Sequence, residues 1–379
     1  MSKQPLPKRK GFCLLAQNSK HSSSKRRFTM NSLDVRYQEK RVLAGLKYGI
    51  IEATTSCQCS CPGCYMVRRK KLNGGEMSLR QAVAVLDKCR DFIGAELETT
   101  DILGGEPLLW RHLKKYIQIL LNRKIAPWIF TNMLAITPEF AEWLFERKVH
   151  VTGKLNIDPS DDSQFSLQAD MLGGNVKLAE KLIQSIQVFK DAGYSDPLFR
   201  LQNLIRKSNI PFVPGYYHWC LKNNIGTDLE LMGSGEAIDQ DYWKVAPGPQ
   251  EIAHMIIKIQ EVRKDFGLGS ARVLMPHVFG SCPFYDKGLY FAADGSIRSC
   301  SNSTETLSHI VDKDPIGRAW NSSLLCRRRQ LCQENVGEPC HSCNRWGECR
   351  GGCRATAEGM GSSFAGYPLC PLPYLEANG

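Results

Sequence analysis

The sequence predicts an α/β protein built on a parallel sheet, with a smaller cysteine-rich domain behind it. Two observations carry that prediction. From Lys47 to about residue 268, six short runs rich in Ile, Val, Leu, Phe or Thr alternate with segments of helical period. Beyond about residue 270 the helical period fades and nine of the sixteen cysteines accumulate. Parallel neighbours need helix-length crossovers, so strict strand–helix alternation implies a parallel sheet. At ~100–200 residues per domain, 379 residues allow two or three domains. The text divides into a tail (residues 1–45), the alternating region (46–268) and the cysteine-rich region (269–379).

The tail comes first and carries most of the charge. Eleven Lys/Arg and two Asp/Glu fall between Met1 and Arg41, about +9 of the net +11. Runs such as Lys8-Arg9-Lys10 and Ser22-Ser23-Ser24-Lys25-Arg26-Arg27 offer little apolar surface to offset chain entropy, so disorder is expected. No aromatic residues interleave the basic ones as base stacking requires, which weighs against nucleic-acid binding. Met1 to Asn31 contains no apolar h-region, so no signal peptide is expected, and no run is apolar for the ~18 residues a membrane span needs. Sixteen cysteines in a chain of this kind point to metal ligands in a reducing cytoplasm rather than to disulfides.

The alternating elements follow in order. Strands are expected at Tyr48–Thr54, Leu97–Leu103, Pro127–Thr131, Val149–Ile157, Phe199–Ile205 and Asp228–Met232. Ser78 caps a helix to Phe92 whose Leu79, Val83, Leu86 and Cys89 share a face. Leu113, Tyr116, Ile117, Leu120 and Leu121 do the same over His112–Lys124. Thr137-Pro138 supplies a cap and a first-turn proline for a helix to Arg147. Asn175–Ala192 places Leu178, Leu182, Ile186 and Phe189 together and stops at Gly193. A fifth helix spans Gly215–Asn223 and a sixth Pro249–Phe266.

Chemistry concentrates where the first strand ends, at Cys57-Gln58-Cys59-Ser60-Cys61-Pro62-Gly63-Cys64-Tyr65. Thiolates suit soft metal centres. Four cysteines complete a 4Fe-4S cluster, whereas three leave one iron open; a zinc knuckle is the competing reading. Cys57, Cys61 and Cys64 in a CxxxCxxC spacing, with Tyr65 behind them, resemble the radical S-adenosylmethionine (radical SAM) family. The resemblance implies a partial (β/α)6 TIM-like barrel. It also implies a cluster whose open iron binds SAM, and reductive cleavage of SAM to a 5'-deoxyadenosyl radical that abstracts a hydrogen atom from substrate. A flavodoxin or ferredoxin would supply the electron. Gly104-Gly105-Glu106-Pro107 ends the second strand where the family has its GGEP segment, which implies contact with the methionyl amino group. Polar residues holding the SAM ribose or carboxylate are expected at Asn156 and Lys154, with Arg200 and Gln202 a similar pair on the next strand.

The C-terminal cysteines carry a second resemblance. Cys282, Gly295 and Cys300, then Cys340, Cys343, Cys349 and Cys353, then Cys370, follow the pattern Cx12Gx4C, Cx2Cx5Cx3C, C. This resembles the SPASM domain, which binds two auxiliary 4Fe-4S clusters. The resemblance implies that Cys340, Cys343, Cys349 and Cys370 hold one cluster, and that Cys282, Cys300 and Cys353 hold the other. The fourth position of the latter is open: relatives use a cysteine about where Pro276 and His277 stand here, and a vacant site, His277, or Cys326 or Cys332 are the alternatives. Tyr290 to Ser296 reads as a hairpin turn. Arg345, Arg350 and Arg354 are candidates for offsetting cluster charge. Cys13, Cys59, Cys89, Cys220, Cys326 and Cys332 are expected to be structural thiols, and Cys220 is also a candidate hydrogen donor.

Two departures from the family bear on substrate. About 45 residues precede the first strand, which leaves no room for the leader-binding module of many peptide-modifying relatives. Ser301-Asn302 stands where sulfatase-maturating relatives have an aspartate base. Both favour a small polar metabolite (a sugar, aminocyclitol, nucleoside or natural-product intermediate) over the alternative, a ribosomally made peptide or protein. A zinc-dependent nucleic-acid-binding protein is the reading from another class.

Overall fold

The computed structural model describes residues 45–66, 75–231, 233, 242–269, 282, 284 and 287–376. The basic tail and the Pro276-His277 segment lie outside them. Six units follow the predicted alternation: β1 (Tyr48–Thr54), α1 (Leu79–Ile93), β2 (Thr99–Gly104), α2 (Leu113–Asn122), β3 (Ala126–Thr131), α3 (Pro138–Glu146), β4 (His150–Lys154), α4 (Phe165–Met171), α5 (Val176–Asp191), β5 (Phe199–Ile205), α6 (Val213–Lys222) and β6 (Gly226–Leu231), with α7 (Tyr242–Val245) and α8 (Pro249–Asp265) after them. Local chemistry sets the ends. The Ser78 side chain and Gln81 form a reciprocal capping box on α1, and Gly94 ends that helix at φ +75°. Thr137 caps α3 and Asn175 caps α5, each accepting a backbone N–H.

The strands form one sheet in the order β6-β5-β4-β3-β2-β1-β7-β8-β9. All pairings from β6 to β7 (Gly288–Phe291) are parallel, whereas β7, β8 (Ser296–Arg298) and β9 (Ser308–His309) are antiparallel. The predicted hairpin is present, with Gly295 at φ +87° in its turn. Unforeseen was its docking: β7 pairs alongside β1, so the hairpin extends the parallel sheet. Short helices follow, including α9 (Pro315–Trp320), α10 (Ser323–Arg329), α11 (Trp346–Cys349), α12 (Arg354–Glu358) and α13 (Leu372–Glu376).

Side chains alternate faces along a strand, so register sorts the sheet into two surfaces. Ile51, Ile102, Ile129, Val151 and Phe199 fall in one row and are fully buried. The opposite face is mixed, with polar side chains among apolar ones such as Ile50 and Tyr290. Ile50, Asp101, Trp128 and His150 make one row, and Lys154, Gln202 and Asp228 another. There Lys154 Nζ donates to Gln202 Oε1, and Gln202 Nε2 donates to Glu230 Oε2. Strands with an apolar outer row and a polar inner row build a barrel wall whose inner face can hold a polar ligand.

Burial, and then the charge of Asp228, push the Asp101 carboxyl up to about 7. A folded-state value above the unfolded one means its stabilising contribution is complete at low pH and lost as pH rises toward 7. Asp101→Asn is therefore expected to flatten the decline in unfolding free energy between pH 5 and pH 8, by on the order of 2 kcal/mol allowing for partial solvent access. Thermal melts of both proteins across that range test it.

Candidate functional site

The cysteine loop hangs from the C-terminal end of β1, where parallel-barrel sites are built. Pro62-Gly63, with Gly63 at φ +70°, supplies the residue pair of a type II turn, and Cys64 N donates to Cys61 O at 3.2 Å. The second motif packs directly against this loop. Gly105 N donates to Thr54 O at 2.7 Å and Glu106 N to Ser56 O at 2.8 Å. A Cβ on Gly104, which sits at φ +137°, would lie 2.4 Å from Thr54 O, and one on Gly105 2.2 Å from Ser56 O. The two glycines are thus needed for the backbone of one motif to lie on that of the other. Pro107 opens the short 3-10 turn that follows. From the other side, Gly173, beyond α4, approaches Ser60, whose N–H donates to Leu172 O.

Glu106 is fully buried and accepts from Thr131 Oγ1 (2.6 Å), Asn132 N (2.7 Å) and Leu108 N (2.9 Å). Burial still pushes its carboxyl up to about 7. Its side chain therefore ties β2 to the tip of β3. The Asn132 amide in turn lies 3.5 Å from Cys57 Sγ. Contact with the Cys59 thiol, aided by backbone N–H groups and Asn132, lowers the Cys57 thiol to about 6. Cys61 is lowered first by Cys59 and also by the charge of Lys154, while Cys59 itself is raised by those two neighbours. Arg206, just past β5, donates to Pro62 O; burial lowers its pKa below the usual arginine range, with Cys61 and Cys64 partly offsetting that. Tyr65 is half-buried at the start of the helical turn after the loop.

Of the other expected residues, Asn156 stays at the C-terminal edge of the sheet and Arg200 does not. Asn156 lies beyond the end of β4, shorter than expected. Its Oδ1 accepts Leu204 N at 3.0 Å and its N–H donates to Gln168 of α4 at 2.8 Å, so its side-chain oxygen joins two strand ends. Arg200 stands at the start of β5, the end of the sheet away from the cysteine loop, where it engages Thr227 O and Asp196. Cys220 requires a correction. Its thiol is fully buried in α6, beside Tyr216, whose hydroxyl reaches Leu201 O behind the sheet, and burial raises its pKa far above the usual range. A thiol sealed between helix and sheet cannot meet a substrate on the inner face. Cys332 lies beyond α10, which ends at Arg329.

The C-terminal cysteines influence one another electrostatically in two sets. Cys282 and Cys353 each feel Cys300, and Cys282 feels Cys353. Cys370 feels Cys340, Cys349 and Cys343. Arg354, one of the three arginines expected to offset charge, is buried near Cys340 and fixed by the carbonyls of Gly351, Ser363 and Ala365. Arg328, not foreseen, is buried beside Cys282 and Cys300 and makes a bidentate pair with Glu358 (2.9 and 2.7 Å). Among the described residues no cysteine is in a disulfide, and no three or more His, Cys, Asp or Glu side chains converge as a single metal ion needs. A four-iron cluster instead takes one thiolate per iron and holds its ligands apart. The donor set, thiols alone at each group with two of them lowered at the first loop, fits such a cluster.

No family model matches the chain. Over 348 residues it is 22% identical to an AdoMet-dependent heme synthase of Nitratidesulfovibrio vulgaris, covering 84% of this chain and 90% of that protein. Over 350 residues it is 22% identical to a PqqA peptide cyclase of Granulibacter bethesdensis, covering 85% and 86%. The fold superposes on native anSMEcpe with bound AdoMet (TM-score 0.67, 17% identity, 87% of this chain and 95% of that one). It also superposes on Streptococcus suis SuiB bound to precursor peptide SuiA (TM-score 0.64, 15%, 92% and 84%). With the first loop, the GGEP segment and the C-terminal pattern, these likenesses make the chain similar to radical SAM enzymes of the SPASM type. They also correct one expectation. A peptide cyclase, a SuiB complex with its peptide, and anSMEcpe with a bound peptide stand against the preference for a small metabolite, which is set aside. No helix among the described residues is long and apolar enough to cross a membrane.

Proposed function

We propose that this enzyme abstracts a hydrogen atom from a peptide or protein, leading to its oxidation or cross-linking. In this reading Cys57, Cys61 and Cys64 hold a 4Fe-4S cluster that leaves one iron to SAM. Cys282, Cys300 and Cys353 hold one auxiliary cluster; Cys340, Cys343, Cys349 and Cys370 hold a second. The first cluster, when bound, supplies the electron that cleaves SAM, taken from a flavodoxin- or ferredoxin-like donor in a reducing cytoplasm. The protein's own part is placement. The Gly104-Gly105 backbone presents its polar groups beside the cysteine loop, and Lys154, Gln202 and Glu230 offer a linked row of donors and acceptors on the inner face. Such a row suits amide and carboxylate groups of a bound chain as well as those of SAM. The observation that carries the reading is the packing of the GGEP backbone on the three-cysteine loop; the peptide-directed relatives support the substrate class.

Anaerobic reconstitution followed by substrate screening tests it. The expected protein is brown, holds ~12 irons for three clusters, and releases 5'-deoxyadenosine on reduction with SAM. Deuterated peptides are expected to pass deuterium into that product and to change mass. A colourless zinc protein, or deuterium transfer from sugars or nucleosides and from no peptide, would overturn the proposal.

A further inference from the structure

We propose that Asn132 is the residue that sets how readily the first-loop cluster accepts its electron, acting as an N–H donor to the Cys57 sulfur. This rests on the cluster assignment above. The Asn132 amide nitrogen is 3.5 Å from Cys57 Sγ, 3.7 Å from Cys59 Sγ and 3.2 Å from Gln58 Oε1, so its two N–H groups are spent on the cysteine loop.

The turn at the tip of β3 is built to hold it there. Asn132 Oδ1 accepts Leu134 N at 3.0 Å, which fixes which end of the amide faces the sulfur. Its backbone N–H is tied to Glu106 Oε2 at 2.7 Å. Thr131 Oγ1 donates to Glu106 Oε1 and accepts Met133 N at 2.8 Å. Met133 itself stands at φ +66°, a left-handed conformation uncommon outside glycine. It is fully buried, with Sδ only 2.3 Å from where a Cβ on Gly153 would be. A strained residue persists only where its surroundings over-determine it. Here they over-determine the aim of one amide.

Reduction adds negative charge to a cluster and its thiolates. A donor aimed at a ligand sulfur stabilises the reduced form more than the oxidised one and raises the potential. Asn132 acts through the Cys57 sulfur, and Glu106 acts through Asn132, so both are positioning residues.

The test poises anaerobic, reconstituted protein at a series of potentials and follows the paramagnetic signal that changes when SAM is added, which separates this cluster from any auxiliary one. Asn132→Ser keeps an oxygen for Leu134 N but no amide donor. Its signal is expected at more negative potential, with a reduced-to-oxidised ratio at fixed potential about fivefold lower, the size of one ordinary hydrogen bond. Glu106→Gln should shift the signal the same way by less, and Asn132→Gln, which keeps the amide, should return it toward native. A native midpoint in Asn132→Ser at native iron content overturns the inference. If Asn132→Ser loses its iron, an unshifted midpoint in Glu106→Gln overturns it instead. A native protein with no SAM-responsive signal refutes the cluster assignment, and this inference with it.

Discussion

If the proposed function holds, Cys61→Ala is expected to lower 5'-deoxyadenosine formation by about a thousandfold or more, because no side chain replaces chemistry that belongs to the cofactor. Cys61 is one of the three thiols in the CxxxCxxC spacing, beside the Pro62-Gly63 turn, and the charges of Lys154 and Arg206 lie close to it. The alanine variant leaves the turn's backbone bonds in place, so the metal-free protein should melt within about 1 kcal/mol of native. Cys59→Ala provides the contrast. Cys59 shares the loop but stands outside the CxxxCxxC spacing, and its removal should leave the SAM-responsive signal present. The same loss from Cys61→Ala is expected for native protein stripped of iron by a chelator, with recovery on reconstitution only in the native chain. Product chromatography and iron analysis read both results.

Arg328→Met produces the largest loss of stability. The guanidinium is buried, and its bidentate partner Glu358 keeps only 19% of its side-chain surface. Burial opposes the charge of Arg328, but Glu358 and the thiols of Cys300 and Cys282 outweigh that cost. Removing one member of a buried ion pair leaves the other charge uncompensated, and about 3–5 kcal/mol is the usual consequence. Arg328→Lys keeps the charge but not the two-pronged geometry, and should recover only part of it. Iron content is expected to fall with stability, since the same cation faces the Cys282–Cys300–Cys353 group. Denaturant melts and iron per chain measure the two effects; a variant as stable as native would show that Glu358 finds water when Arg328 is gone.

Much of the fold was legible in the residues. The strands Tyr48–Thr54 and Phe199–Ile205 have the bounds their composition predicts, and Ser78 and Thr137 cap the helices they were expected to cap. These features depend on neighbours within one or two turns of chain. The strand expected to reach Ile157 stops at Lys154, because Asn156 leaves the ladder to accept Leu204 N. The seven-residue α4, too short to show a period, went unseen, although it supplies Gln168 and leads into Gly173 against the cysteine loop.

What the sequence determined by itself was the donor chemistry. The thiols at positions 57, 61 and 64, the glycine pair at 104 and 105, and the C-terminal series are fixed by covalent spacing, and spacing survives any arrangement of the rest. Tertiary structure alone decided which distant groups meet them. Asn132 reaches Cys57 across 75 residues and Arg206 reaches Pro62 across 144. Cys220 is withdrawn behind the sheet, and β7 settles beside β1. Such encounters follow from strand order, register and the closing of loops, to which no local run of residues bears witness.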